Sequence, residues 1–66
     1  TLEEAVRVVV DRNPYVDDSQ IRIGVRDRTV RLTGLVRNVA ERDMAESDAF
    51  CVLGVDAVVN ELDVSG

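Results

Sequence analysis

Two runs of apolar–polar alternation, residues 20–26 and 29–37, lie only two residues apart. In the first, Ile21, Ile23 and Val25 fall on one side, and Gln20, Arg22, Gly24 and Arg26 on the other. In the second, Val30, Leu32 and Val36 point inward with Gly34 in the same register, while Thr29, Arg31, Thr33, Leu35 and Arg37 point outward. A period of two marks a strand with one buried face. The intervening Asp27-Arg28 leaves room only for a tight turn, so the two runs predict a β-hairpin. A two-residue hairpin turn that matches the strand twist needs positive φ at its central residues. Arg28 then carries a Cβ penalty of roughly 1 kcal/mol.

The segments on either side follow a different period. Over residues 2–12, Leu2, Ala5, Val6 and Val9 form one stripe at helical spacing. Thr1 with Glu4 three residues on makes a capping box, and Glu3 and Glu4 suit the positive end of the helix dipole. Asn13-Pro14 ends this helix, because the residue before proline is pushed out of the α region. Tyr15 to Ser19 read as a connecting loop in which Asp17-Asp18 is solvated. Asn38 with Glu41 repeats the capping pattern and opens a second helix over residues 39–53. Its core stripe is Ala45, Ala49 and Val52, with Met44 and Leu53 on the shoulders, Asp48 at a solvated edge and Phe50 roughly opposite. Gly54 is placed to cap it in the left-handed conformation. Residues 57–64 alternate again, with Val58, Leu62 and Val64 inward and Ala57, Val59, Glu61 and Asp63 outward; Asn60 interrupts the apolar side.

The order is therefore α-β-β-α-β. The third strand follows a helical crossover and should run parallel to the second, with a right-handed connection. The expected fold is an α+β two-layer sandwich, with a three-stranded mixed sheet and both helices on one face. At 66 residues the chain is one domain, expected to be an excerpt of a longer protein.

Composition excludes several chemistries. With no His and one Cys, the chain offers no triad, no ordinary Cys/His zinc site and no intrachain disulfide. It has no glycine-rich phosphate loop and no calcium-loop spacing, so neither a cofactor nor a metal is expected, and Cys51 is read as a half-buried, unreactive thiol. No apolar run is long enough to cross a membrane as a helix. The net charge of −5 is uneven: residues 20–37 hold five Arg against Asp27 alone, or +4, and the remainder holds three Arg against twelve acids, or −9.

The hairpin positions, above all Leu32-Thr33-Gly34, and the later run Gly54-Val55-x-x-Val58-x-Asn60-x-Leu62-x-Val64 together resemble the BON domain, over essentially all of residues 2–64. Two positions depart from that pattern: Arg28 stands where the family usually has Gly, and Asp48 where it usually has an apolar residue. The resemblance implies the α-β-β-α-β fold and a non-catalytic binding module. Such modules are commonly found in tandem or attached to other domains in bacterial periplasmic, outer-membrane or secreted proteins. It implies association with phospholipid and envelope maintenance, although some members sit beside cytoplasmic regulatory domains.

The outer face of the sheet is the candidate binding surface. Arg22, Arg31 and Arg37 offer guanidinium groups for phosphate or carboxylate, and Leu35 and Val59 offer apolar contact. The competing reading is a solvated face on which Arg pairs with Glu61 and Asp63 across strands. The expected partner is a phospholipid or another protein domain, with self-association an option. The alternative function is an interaction or regulatory domain that docks a neighbouring domain in a larger, cytoplasmic protein. Nucleic acid is disfavoured, because single-strand readers stack bases on aromatics and this face has none. Three residues are assigned structural roles. Gly34 admits a helix or marks a bulge, Gly54 stops the second helix, and Asn60 satisfies backbone groups beside Gly54-Val55.

Overall fold

The computed structural model describes residues 1–14, 16 and 18–65, so Tyr15 and Asp17 of the expected loop lie outside the described residues. The elements are α1 (Leu2–Arg12), a 3-10 turn (Asp18–Gln20), β1 (Ile21–Arg26), β2 (Thr29–Val36), α2 (Val39–Phe50) and β3 (Ala57–Val64). The sheet order is β1-β2-β3, with β1 antiparallel and β3 parallel to β2. The α-β-β-α-β order and mixed three-stranded sheet are thus as the sequence predicts.

Helix α1 starts where Thr1 Oγ1 accepts the Glu4 N–H (3.2 Å), which satisfies one of the first-turn donors. It ends at Asn13, whose extended backbone (φ −76°, ψ 113°) fits the constraint imposed by Pro14. Its buried residues are Val6 and Val10, with Leu2 and Val9 packed at the margin; Ala5, placed in the stripe by the sequence, is exposed. The stripe is rotated because α1 leans on both β1 and α2, and the larger Val10 removes more apolar area from water than Ala5 would.

Helix α2 opens at Asn38, whose Oδ1 accepts the Glu41 N–H at 2.8 Å. Ala45, Ala49 and Val52 are buried as expected, and the two alanines let α2 lie close over β2 and β3. The helix stops at Phe50, short of the expected residue 53, and Leu53 is 97% exposed instead of shouldering the core. Gly54 has the expected left-handed backbone (φ +100°), but it belongs to a turn beyond the helix, where the Val55 N–H donates to the Val52 carbonyl. Cys51 caps α2 in the αR conformation, and its thiol is exposed where the sequence suggested a half-buried one.

Asp48 is not a free edge residue. Its Oδ2 accepts from Asn13 Nδ2 at 2.8 Å in a partly buried contact that ties the end of α1 to α2. Asn60 also has different partners from those expected: Nδ2 donates to the Arg42 carbonyl (3.2 Å) and Oδ1 accepts the Leu62 N–H (3.1 Å), which fastens β3 to α2 instead of satisfying the 54–55 loop. Gly34 makes no room for a helix. It sits opposite Ile21 with φ +124°, and a Cβ there would overlap the Gln20 carbonyl oxygen of the 3-10 turn.

Candidate functional site

The helices cover the sheet face formed by Ile21, Ile23, Val30, Leu32, Val36 and Leu62, so the other face is open. Register arranges that open face in four rows. Arg26, Thr29 and Ala57 form one; Gly24, Arg31 and Val59 the next; Arg22, Thr33 and Glu61 the third; and Leu35 stands beside Asp63 in the fourth. Of the residues the sequence assigned to binding, Arg22, Arg31, Leu35 and Val59 are brought together here, all of them exposed.

Arg37 is not among them. It lies one residue beyond the end of β2, and its Nε donates to Glu41 Oε2 at 2.8 Å. The alternation that sent Arg37 outward ends with the strand, and the buried carboxylate of α2 then draws the guanidinium away from the face. Glu41 itself escaped the sequence reading as more than a helix cap, yet its side chain is only 2% exposed. Its Oε1 has no hydrogen-bond partner among the described residues, so Arg37 is its main ionic compensation.

The electrostatics of the open face are asymmetric. Arg31 pairs with Glu61 across β2 and β3 (3.1 Å), in line with the solvated-face reading. On β1, Arg22 and Arg26 have no ion pair with any described residue. Between them is Gly24, where an added Cβ would meet nothing within 4 Å. The missing side chain leaves a hollow of about 470 Å³ bordered by Gly24, Arg26, Thr29, Arg31 and Val59, with Asp27 of the turn the one acid on its rim among the described residues. Gly24 and Arg26 were visible in the alternation as outward residues; pairing the strands in register would have put them into the site. Phe50 and Cys51 are exposed on the α2 side.

The arrangement is suited to holding an anion against a partly apolar floor. Two guanidinium groups lack carboxylate partners among the described residues, a third is shared with Glu61, and Val59 and Leu35 are 37% and 47% exposed. Among the described residues, no three His, Cys, Asp or Glu are grouped to hold a metal ion, and no helix is long and apolar enough to cross a membrane.

No curated protein matches the chain. The family model of the BON domain matches residues 1–66, the whole length, with the element order and sheet described above. The chain belongs to the BON domain family, whose members are generally non-catalytic binding modules associated with periplasmic and envelope proteins.

Proposed function

We propose that this BON domain is a non-catalytic module of the bacterial cell envelope that takes a phospholipid headgroup on the open face of its sheet. The observation that carries this reading is the pair Arg22 and Arg26, which flank Gly24 along β1 on the open face and form no ion pair with a described residue; Arg26 also borders the hollow. A phosphodiester accepts bidentate hydrogen bonds from Arg, and the exposed parts of Val59 and Leu35 give the glycerol and first methylenes an apolar contact. The acidic remainder of the chain opposes broad adhesion to an anionic surface, so binding is local to this face.

Co-sedimentation with vesicles of anionic and zwitterionic lipid tests the reading. The chain should pellet with anionic vesicles, and Arg22→Glu combined with Arg26→Glu should abolish pelleting without moving the melting temperature by more than about 2 °C. Binding that survives both reversals rules this face out. A chain that ignores both vesicle types favours the second reading, in which the same face docks a neighbouring domain or envelope protein; the Arg31–Glu61 pair, which gives the face both signs of charge, supports that reading.

A further inference from the structure

The charges on the open face are laid out so that the face complements itself. Arg22 and Glu61 occupy opposite ends of one row, with Thr33 between them on β2. In the adjacent row the bare Gly24 and the half-exposed Val59 occupy opposite ends, with Arg31 between them. A two-fold axis parallel to β2, lying between two such sheets, keeps each row level and exchanges β1 with β3. Arg22 of each copy then faces Glu61 of the other, and Val59 of each enters the hollow over Gly24 of the other. Leu35, on β2 itself, meets its counterpart near the axis. A two-fold perpendicular to the strands in the same plane would instead set β1 over β1, with Arg22 and Arg26 against their own copies. Charge therefore selects the first arrangement.

We infer that, where no lipid occupies it, this face pairs with a second copy of the chain, joined sheet to sheet about an axis parallel to the strands. This rests on the reading of the open face as the binding surface and names another occupant for it, one that excludes the lipid headgroup because both use Arg22. The arrangement is isologous and closes at two copies. Aligned sheets of this kind pack about 10 Å apart, a distance that Arg22 and Glu61 side chains span together. The unfavourable element is Arg31, which meets its own counterpart near the axis; each is already held by Glu61 at 3.1 Å, turned away from β2 toward β3.

Area sets the expected strength. Three strands about 4.8 Å apart and eight residues of about 3.3 Å each give a footprint of roughly 380 Å² per copy. Stable dimers bury about 800 Å² per partner, so this one is weak and forms only at high protein concentration.

Analytical ultracentrifugation over a range up to about 1 mM, without lipid, tests the inference. The wild-type chain should show a reversible monomer–dimer equilibrium. Arg22→Glu and Glu61→Arg should each weaken it about tenfold, since each puts like charges together twice per dimer. Mixing the two variants should restore wild-type affinity, because in the mixed dimer every reversed charge meets its complement. Leu35→Glu is an independent variant that places two like charges near the axis, and it should weaken dimerisation as well; all three sites are exposed. A chain that stays monomeric at 1 mM overturns the inference, as does a dimer indifferent to these substitutions or one whose single variants are not rescued by mixing. The vesicle experiment separates the two readings: a monomer that pellets with anionic lipid removes the dimer and keeps the headgroup site, and a dimer that ignores vesicles does the reverse.

Discussion

Gly34 stands where β1 begins beside β2, with a backbone (φ +124°) that L side chains rarely adopt and the Gln20 carbonyl occupying the space of a Cβ. Conformational strain and overlap with backbone act together, and backbone cannot move aside as a flexible side chain can. Gly34→Ala should therefore destabilise the domain by at least about 2 kcal/mol in urea denaturation, if it folds at all. A loss below about 0.5 kcal/mol would mean that the 3-10 turn moves freely away from β2. A second residue-scale constraint is Glu41, whose carboxylate is buried and met by the exposed Arg37. Arg37→Ala removes that guanidinium and leaves the charge in a dry site, so it should cost about 1–3 kcal/mol at neutral pH. An unchanged urea midpoint would show that water or backbone donors compensate Glu41 without Arg37. The sequence showed both residues but not these roles, because a neighbour 14 residues away along the chain and a side chain's burial are not local properties.

At the scale of elements, the hairpin is held by a two-residue turn with φ of +50° at Asp27 and +63° at Arg28. This is the primed geometry that matches the right-handed twist of the strands, and Asp tolerates it better than Arg. Arg28 is offset by an ion pair with Asp56 (3.5 Å), but both side chains are well exposed and such a pair contributes little. The backbone contact at the same place, from the Asp56 N–H to the Arg28 carbonyl (2.9 Å), does not need the side chain. Arg28→Gly should accordingly raise stability by up to about 1 kcal/mol, read as a higher urea midpoint at constant slope. A lower midpoint would show that the ion pair outweighs the strain. The turn and both flanking strands were legible from alternation and spacing alone. The end of α2 was not, since a capping glycine at residue 54 is compatible with a helix that stops at Phe50 and continues as a turn.

For the whole molecule, the decisive property is the separation of charge within a chain of net −5. The basic segment forms β1, β2 and the turn, while most acids lie on the helices and β3. Any anionic surface is thus attracted by one face and repelled by the rest, and both effects decay over a Debye length of about 8 Å at physiological ionic strength. Vesicle binding through the open face should fall steeply between about 0.05 and 0.5 M salt, because the contact is made by exposed guanidinium groups. Sedimentation with anionic vesicles across that range measures it. Binding that persists at 0.5 M salt would assign the attachment to apolar contact, with exposed Phe50 and Leu53 the first residues to substitute.

Local pattern was enough to determine the two helices, the hairpin and the third strand, because periodicity, capping residues and turn spacing are properties of neighbouring residues. It was also enough to place Arg22, Arg31, Leu35 and Val59 on one face, since alternation within a strand survives folding. Only the tertiary structure decided the rest of that face's membership. Arg37 leaves it because helix α2 presents the buried Glu41 just past the strand end. Arg26 and Gly24 enter it because register sets them beside Thr29 and Arg31. Asp48 and Asn60 likewise found their partners, Asn13 and the Arg42 carbonyl, across gaps of 35 and 18 residues. The physical reason is the same in each case: a polar side chain takes the nearest partner in space when water is withdrawn, and nearness in space is created only when the layers pack.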